Sequence, residues 1–382
     1  MKRVLFDGLA IQPSIHAPFH GGSEYAKCIL REIITLNLPY EIVFQKSLSI
    51  PEDISEIFSN SECRIHYIDT KSDLYRLIND GNFDIFYSAL PYSYFDYKGN
   101  VPIIGVIHGL RNIEFPWDKY YYRFIKNKVK KTIGWFISNI PYSWDYFKKR
   151  NIQRMSNLIL NPKFQFITVS DHSKYSLINF YPSLKDKKIE VCYSPLNISR
   201  SENGTSDNPG NYYLLVSGNR AEKNATRALL AFDDLFSKGL LIDKTVKITG
   251  VTNPKVFSFI KNKDKFSFLP YVSSVELDTL YREAFCFVYP SLNEGFGYPP
   301  LQAMASNVPV IASSATSIPE VCGDAAIYFS PTNLDDLKSR ILQINDSSKL
   351  RSELIRKGEI RLNEIKIKQK EGIDKQIDLI FK

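Results

Sequence analysis

The chain has few cysteines and no arrangement of them that marks a disulfide scaffold or a zinc site. Its 382 residues include five cysteines, which are scattered and form no Cys-X-X-Cys pair. Isolated cysteines in odd number are typical of reduced thiols. We therefore expect a cytoplasmic protein whose cysteines, Cys28, Cys63, Cys192, Cys286 and Cys322, form neither disulfides nor a metal site.

Long apolar runs are also missing. No stretch approaches the roughly 20 apolar residues of a membrane-spanning helix. The N-terminus reaches Asp7 too early for a secretory leader and predicts a first strand. No Asp-X-Asp ends a predicted strand, and no His, Cys and carboxylate cluster has metal-binding spacing. We expect no essential metal.

Apolar strands alternate with helical or loop segments along both halves of the chain. With 382 residues and 44% apolar content, two domains of about 150–200 residues are expected. The alternation predicts two doubly wound parallel sheets. Predicted strands cover 2–7, 40–45, 64–68, 85–88, 103–107, 166–170, 212–217, 246–249, 266–269, 285–289, 308–312 and 326–329. The polar stretch 199–210 predicts a linker between domains at 1–198 and 211–360.

The most specific pattern lies between Val288 and Gly323. An apolar strand is followed by a glycine-rich turn, the pair Pro299-Pro300, a short helical stretch and a second apolar strand. This order places free backbone N–H groups at the start of a helix, beside the carboxyl end of a parallel strand. Such a place binds anions and nucleotides. Glu294 lies at the mouth of the loop.

This segment closely resembles the donor-binding segment of the family 4 retaining glycosyltransferases, which have the GT-B fold. The motifs Tyr-Pro-Ser, Glu-Gly-Phe-Gly and Pro-Leu-X-Ala-Met are present without a gap, with Gln302 in place of the family's second Glu. The resemblance implies two Rossmann-like domains facing across a cleft, with a helix at 361–382 that packs back on the N-terminal domain. It also implies sugar transfer with retention, by front-face attack with the leaving phosphate as base.

Cationic residues follow the first strand of the second domain. The run 217–224 resembles the family's Gly–Arg–Lys–Asn signature and contains Gly218, Arg220 and Lys223. The resemblance implies that Arg220 and Lys223 clamp the donor diphosphate, whose departing oxygen gains negative charge. Two solvated charges at a helix start are the alternative, but cations are mildly unfavourable at a helix N-terminus.

Glu294 resembles the family Glu that lies against the donor sugar's hydroxyls. Its carboxylate could also support an oxocarbenium-like transition state, whereas an N-terminal helix cap is the alternative interpretation. The backbone N–H groups of Gly295, Phe296 and Gly297 are expected near the sugar and phosphate, since glycine permits close approach. Gln302 replaces the Glu that binds the ribose diol; an amide offers one acceptor and one donor group. A deoxyribose donor such as a dTDP-sugar is therefore one hypothesis.

Other candidates are weaker. His108, at the end of the strand 103–107, matches a family His that reaches the donor sugar from the first domain. Gly22 resembles the N-terminal glycine loop, although a turn explains it equally well. Tyr271 matches the loop that holds the base, where it could stack or belong to the core. Glu320 is expected to order the wall of the donor site.

Four more residues leave alternatives open. Arg111 and Glu114 could form a salt bridge or contact the acceptor, and His16 and His20 could touch the acceptor as well.

The segment 119–154 concentrates positive charge and aromatic side chains. It contains ten Lys or Arg and one acidic residue, Asp145, whereas the whole chain has a net charge of +8. A solvated cationic face over ordinary core and a surface for anionic membrane or a lipid-linked acceptor are both compatible with this pattern. Nucleic acid is disfavoured, because no nucleic-acid motif accompanies the charge.

The sequence and the resemblance together predict a glycosyltransferase that is cytoplasmic or peripheral on the inner face of the cell membrane, and the resemblance implies that it is a retaining enzyme. Its expected partners are a nucleotide-diphosphate sugar donor and a glycan or lipid-linked glycan acceptor of O-antigen or capsule type, with no cofactor and no nucleic acid. A degenerate nucleotide- or glycan-binding subunit without turnover is the alternative, motivated by Gln302. A GT-B epimerase or hydrolase has no motif in its favour.

Overall fold

The computed structural model describes residues 1–13, 21–58, 63–115, 117–140, 143–195 and 210–382. His16, His20 and residues 199–209 of the predicted linker lie outside the described residues. The chain divides into two compact units. The first contains Met1–Leu110, Arg150–Asn197 and Lys366–Lys382, and the second contains Arg111–Lys149 and Ile198–Ile365.

The strands agree closely with the apolar segments of the sequence. They are β1 Val4–Asp7, β2 Tyr40–Gln45, β3 Arg64–Ile68, β4 Ile85–Ser88, β5 Ile103–Ile107, β6 Phe164–Thr168, β7 Glu190–Val191, β8 Tyr212–Leu215, β9 Thr245–Ile248, β10 Phe266–Phe268, β11 Cys286–Tyr289, β12 Val310–Ser313 and β13 Ala326–Phe329. β1, β4, β5, β8, β11 and β12 are buried along their whole length. Such continuous apolar burial is characteristic of parallel sheets covered on both faces.

Helices connect these strands. They are α1 Gly21–Thr35, α2 Glu52–Phe58, α3 Lys71–Asp80, α4 Arg111–Glu114, α5 Lys128–Ser138, α6 Ser143–Ile159, α7 Asp171–Phe180, α8 Ala225–Ser237, α9 Ser274–Arg282, α10 Tyr298–Ala305, α11 Ile318–Cys322, α12 Leu334–Asp346 and α13 Ser348–Phe381. Thr70 and Ser273 cap α3 and α9 in capping boxes with Asp73 and Glu276. Within the described ranges, no helix is long and apolar enough to cross a bilayer.

Each unit is built on one parallel sheet. In the first unit the strand order is β3-β2-β1-β4-β5-β6-β7, and in the second it is β10-β9-β8-β11-β12-β13. The order reverses between β1 and β4 in one sheet and between β8 and β11 in the other. Ligands of open α/β sheets bind at such switch points, outside the carboxyl ends of the strands. The predicted doubly wound architecture of both halves is therefore confirmed.

The predicted boundary at 198 places residues 111–149 in the first domain. In the structure these residues pack with the second unit. Arg227 of α8 forms an ion pair with Asp118 at 2.7 Å, and the two side chains are only 5% and 7% exposed. The Arg227 guanidinium also lies 4.8 Å from the ring centroid of Tyr120, and that of Arg123 lies 4.7 Å from the ring of Phe259. The two residues of the ion pair are 109 positions apart in the sequence. No local sequence pattern therefore indicates these contacts.

The C-terminal residues belong to both units. Helices α12 and α13 end the chain, and the last part of α13, Lys366–Lys382, groups with the first unit. There Gln376 accepts from the Tyr25 hydroxyl at 2.5 Å and donates to the Tyr87 hydroxyl at 2.5 Å. Because these groups are buried, the hydrogen bonds satisfy polar atoms that would otherwise be costly.

Candidate functional site

Two loops of the second unit meet at the switch point of its sheet. One follows β8 and leads into α8, and the other follows β11 and leads into α10. Asn224 joins them: its side-chain amide donates to the carbonyls of Pro290 at 2.9 Å and Pro331 at 2.7 Å. Asn224 has φ 58°, a left-handed conformation that asparagine tolerates better than most residues. The candidate site lies on these two loops.

Lys223 and Glu294 form the centre of this site. The Lys223 ammonium lies 2.5 Å from Glu294 Oε1, and the side chains are 9% and 16% exposed. Ser291 Oγ donates to the same carboxylate oxygen at 2.5 Å. Lys223 Nζ also donates to the Tyr289 hydroxyl at 3.3 Å. The carboxylate of Glu294 is thus surrounded by one cation and neutral hydroxyl groups.

The environment keeps Glu294 ionised. Burial by itself would raise its pKa, but the charge and hydrogen bond of Lys223, with the hydroxyls of Ser291 and Tyr289, outweigh burial and lower the pKa. The backbone is also fixed: Glu294 N–H donates to Thr316 Oγ1 at 2.9 Å, and Ser317 Oγ donates to the Glu294 carbonyl at 2.9 Å. Glu294 is therefore a rigidly held anion, and not merely a helix cap.

Arg220 lies on the solvent side of this cluster, held by Glu222. The Glu222 carboxylate is in contact with two guanidinium groups, since Arg220 Nη2 lies 2.5 Å and Arg111 Nη1 lies 2.7 Å from Glu222 Oε1. Burial would raise the pKa of Glu222, but the two arginines lower it. Burial likewise opposes the charge of Arg220, and Glu222 and Glu294 raise its pKa. The Arg220 side chain remains 46% exposed, so it can contact a ligand.

Helix α4 supports both loops. Arg111 pairs with Glu222, as described, whereas Glu114 Oε2 accepts a 2.5 Å hydrogen bond from the amide of Asn293. The salt bridge that the sequence leaves open for Arg111 therefore exists, with Glu222 as its partner. This short helix thus contacts each of the two loops through one side chain.

The predicted glycines serve the backbone of these loops. A Cβ at Gly218 would lie 2.5 Å from Ile248 Cδ1, so glycine lets this loop pack closely against the end of β9. Gly297 precedes α10 with φ 111°, a conformation open to glycine. Phe296 is buried, and its carbonyl accepts from Ser317 Oγ at 2.9 Å. Gly295 directly precedes Phe296, and its expected approach to a phosphate stays a prediction.

The remaining candidates of the second unit lie around the cluster. Gln302 is half-buried on α10. Tyr271 is 58% exposed, and its hydroxyl donates to Asn219 Oδ1 at 3.4 Å, so it is not a core residue. Glu320 lies in α11, where its carbonyl accepts from Arg361 at 2.5 Å. Their predicted ligand contacts remain predictions.

His108 and Gly22 come together within the first unit. His108 follows β5, and its Nε2 lies 2.9 Å from the carbonyl of Ala89, just after β4. Its ring contacts Tyr25 edge to face, with centroids 4.9 Å apart. A Cβ at Gly22 would lie 2.5 Å from Leu90 Cδ2. His108 therefore lies at the carboxyl end of β5, and Gly22, in the first turn of α1, lies beside Leu90, just after β4.

Several residues of the site carried no assigned role from the sequence. Tyr289 and Ser291 stand in the Tyr-Pro-Ser motif, which was a signal for them, and Glu222 stands between Arg220 and Lys223. Thr316 and Ser317 had no signal, because they reach the site by tertiary contact. Over the described ranges, no group of three His, Cys, Asp or Glu side chains could hold a metal ion.

The two doubly wound units define the GT-B fold. The structure of Anabaena Alr3699/HepE in complex with UDP and glucose matches with a TM-score of 0.68 and 12% identity, over 99% of this chain and 100% of that one. At this low identity the match shows the fold alone.

Sequence comparison is more specific. Residues 199–361 match the family model described as glycosyl transferases group 1. The chain is 35% identical over 176 residues to the O-antigen chain mannosyltransferase RfbU of Salmonella typhimurium, covering 45% of this chain and 48% of that protein. It is 49% identical over 76 residues to the O-antigen chain mannosyltransferase B of Escherichia coli, covering 20% of each. The matches thus span half or less of these relatives.

The similarity of this chain to the glycosyl transferases group 1 family is thus carried by residues 199–361. Arg220, Lys223 and Glu294 all lie inside the matched segment.

Proposed function

We propose that the protein is a glycosyltransferase that moves a sugar from a nucleotide-diphosphate donor to a hydroxyl of a cell-surface glycan. The observation that carries this proposal is the cluster of Lys223, Glu294 and the exposed Arg220 at the switch point of the family-matched unit. A departing diphosphate gains negative charge, and preorganised cations stabilise that charge. Arg220 and Lys223 supply these cations.

Glu294 has a different role in this proposal. Its lowered pKa keeps it ionised at neutral pH. An ionised carboxylate accepts hydrogen bonds from sugar hydroxyls and stabilises positive charge at the anomeric carbon. A ligand hydroxyl would share Glu294 with Lys223, whose ammonium could then turn toward the diphosphate. Glu222 is a positioning residue, because it holds Arg220 without facing the sugar itself.

The reaction that we propose retains the anomeric configuration. The bond from the anomeric carbon to the leaving phosphate oxygen breaks, and the acceptor oxygen bonds the same face. The acceptor proton passes to the leaving phosphate. NMR of the product's anomeric linkage tests this step, and an inverted linkage would contradict it. We also propose that no metal is needed, so that transfer persists in EDTA.

Mannose is the proposed sugar. The relatives RfbU and mannosyltransferase B are both described as O-antigen chain mannosyltransferases. The proposed acceptor is accordingly a growing O-antigen-type glycan, free or linked to lipid. The proposal includes peripheral contact with the inner face of the cell membrane through residues 119–154, where ten cationic residues face one acidic residue. His108 and Gly22 are proposed to serve the same reaction, and His108→Ala is expected to lower the rate of transfer.

Thermal melting with nucleotides tests the donor site. UDP, GDP, dTDP, ADP and CMP are compared, and the nucleotide that binds raises the melting temperature by mass action. Arg220→Ala is expected to abolish that shift, whereas Lys255→Ala, a change at an exposed lysine of the same unit, should keep it. A preference for dTDP would favour the deoxyribose hypothesis at Gln302, and Gln302→Glu should then improve binding of ribonucleotides.

Transfer assays test the activity itself. GDP-mannose, UDP-glucose and a dTDP-sugar are offered with mannose-containing oligosaccharide acceptors. We expect product from the mannosyl donor, and loss of product in Glu294→Gln with nucleotide binding kept. Selective nucleotide binding without product from any donor and acceptor pair would instead favour the binding-subunit alternative.

A further inference from the structure

Helix α5 presents apolar side chains to solvent. Val129, Ile133 and Phe136 are 68%, 52% and 58% exposed, and Ile140, just beyond the helix end, is 54% exposed. Because a helix turns by about 100° per residue, their spacing of four, three and four residues aligns them on one side. These four residues are called the α5 stripe. An amphipathic helix ordinarily buries such a stripe.

The opposite side of α5 is the one that packs on the protein. Gly134 is buried, and a Cβ there would lie 2.9 Å from Ile125 Cδ1 and 3.2 Å from Tyr122 Cβ. Near the end of the helix, Trp117 Nε1 donates to Ser138 Oγ at 2.8 Å. These contacts fix the rotation of the helix, so the α5 stripe faces outward.

Lysines flank the α5 stripe on both sides. At about 100° per residue, Lys128 lies on one side of it and Lys130 on the other, whereas Lys131 lies on the far side of the helix. In the described part of the chain, no carboxylate forms an ion pair with any of the three. Lys128 and Lys131, with Tyr122, Thr132 and Trp135, line an open cavity of about 440 Å³. The stripe thus has cationic borders on both sides.

This surface is firmly joined to the unit that carries Lys223 and Glu294. The buried pair of Asp118 and Arg227 ties the residues before α5 to α8, and the residue before α8, Asn224, joins the two loops of the candidate site. A partner bound at α5 would therefore be held by the same compact unit as the donor site.

We propose that the α5 stripe and its flanking lysines bind the surface of an anionic lipid bilayer. The stripe enters the boundary between head groups and acyl chains, while the ammonium groups contact lipid phosphates. The cavity beside Trp135 is large enough for a phosphate head group. A second copy of the chain is a poorer occupant, because it would bring the same lysines against each other. Nucleic acid would leave the apolar stripe in water.

This proposal specifies the membrane contact within the proposed function, but the binding itself requires no sugar transfer. The chain has three tryptophans, at positions 117, 135 and 144, so intrinsic fluorescence reports on this region. Trp135 is 46% exposed and is expected to shift its emission to shorter wavelength on binding. The full chain is titrated with vesicles of phosphatidylcholine alone or with added phosphatidylglycerol, and flotation is measured in parallel.

We expect flotation and the emission shift with the anionic vesicles, and much weaker signals with the neutral ones. Ile133→Ser with Phe136→Ser should weaken binding about tenfold or more. Lys128→Ala with Lys130→Ala should weaken it roughly thirtyfold and lower its dependence on phosphatidylglycerol. Trp135→Phe should lose most of the emission shift while floating normally.

Matched changes elsewhere in the same unit serve as controls. Ile242→Ser with Val275→Ser removes apolar side chains that are 74% and 73% exposed, and Lys255→Ala with Lys263→Ala removes two exposed lysines. Both control proteins should bind vesicles as the unchanged chain does. Every variant should keep its nucleotide-induced melting shift, so that failure of lipid binding is distinguished from failure of the donor site.

Three outcomes would overturn the proposal. The stripe and lysine variants could float as well as the unchanged protein. The chain could form an oligomer that Ile133→Ser with Phe136→Ser dissociates, without binding vesicles, which would assign the stripe to a second copy. Salt-sensitive retention on RNA without vesicle binding would assign the lysines to nucleic acid.

Discussion

The two units each hold a buried carboxylate near the carboxyl end of a central strand, with opposite consequences. Asp7 ends β1 in the first unit and is 1% exposed. It accepts hydrogen bonds from Ser88 Oγ at 2.6 Å, the Tyr94 hydroxyl at 2.7 Å and the Leu9 N–H at 3.1 Å. Burial outweighs these hydrogen bonds and raises its pKa to about 6.

Glu294 in the second unit also has hydroxyl neighbours, but it has Lys223 as well, and its pKa is lowered. The comparison teaches that neutral donors soften the cost of burying a carboxylate but do not cancel it. A cation in contact with the carboxylate, such as Lys223 beside Glu294, does cancel that cost. Asp7 thus joins the end of β1 to Ser88 and Tyr94 through hydrogen bonds, whereas Glu294 is held as an anion at the proposed donor site.

The largest effect is expected when Glu294 is made to resemble Asp7. Lys223→Met leaves Glu294 with neutral partners, and stranding a buried charge costs about 3–5 kcal/mol in free energy of unfolding at neutral pH. The pKa of Glu294 would then be raised, so the lost stability should return as pH falls and the carboxyl becomes protonated. Urea unfolding at several pH values, followed by tryptophan fluorescence, measures this effect in the second unit.

The control for this change is Lys223→Met with Glu294→Gln, which removes both charges and should recover most of the lost stability. A cost that is independent of pH, or simple additivity of the two changes, would contradict the coupling.

The reverse test removes the charge of Asp7. Its folded pKa of about 6 exceeds the ordinary 3.8, so its contribution to stability is complete below pH 3.8 and is lost as pH rises to about 6. This difference corresponds to about 3 kcal/mol. Asp7→Asn should abolish the loss over that interval. Hydrogen exchange of β1 and β4 amides at pH 4 and 7 measures it, with Asp84→Asn as a control; an unchanged pH profile would refute it.

A smaller effect is expected at the second anion of the site. Glu222→Gln weakens the hold on Arg220 and Arg111, and charged hydrogen bonds of this kind contribute about 1.5 kcal/mol. Nucleotide affinity should fall roughly tenfold. Isothermal titration with the preferred nucleotide measures this change, and Glu353→Gln, at an exposed ion pair of the same unit, provides the control. If Glu222→Gln and the unchanged protein bound the nucleotide with equal affinity, Glu222 would not be needed to position Arg220.

The smallest effect is expected from a neutral donor. Ser291→Ala removes a hydrogen bond to Glu294 but leaves Lys223 in place, so it should cost about 1 kcal/mol. Thermal melting at neutral pH measures it. A loss as large as that of Lys223→Met would mean that the hydroxyl, and not the ammonium, maintains the charge of Glu294.

Much of the fold followed from local patterns. Continuous apolar segments predict the strands of both sheets, and the motifs include Gly297, whose φ of 111° favours glycine, and Gly218, which packs closely against the Ile248 side chain. Lys223 and Glu294 were each selected on motif grounds, but their contact was not predicted. They are 71 positions apart, and periodicity describes only neighbours along one helix or strand.

The basic segment shows the same limit. Its charge and aromatic content were evident, but residues 111–149 were predicted to belong with the first domain. The buried contact of Asp118 with Arg227 instead joins them to the second unit. The exposure of the α5 stripe to solvent is equally unpredictable from the sequence. A helical pattern of apolar residues does not indicate whether that side packs on a core or faces solvent.

By itself the sequence determined the two parallel sheets, the loops at their carboxyl ends and the residue types that such loops present. The tertiary structure alone decided which charges meet and which unit holds the basic segment. The physical reason is one of range: propensity and periodicity act over a turn or a strand, whereas the charge state of a buried group depends on whatever the fold brings within a few ångström. Asp7 and Glu294 are both acidic residues in the sequence, and only their surroundings make one reluctant to ionise and the other a stable anion.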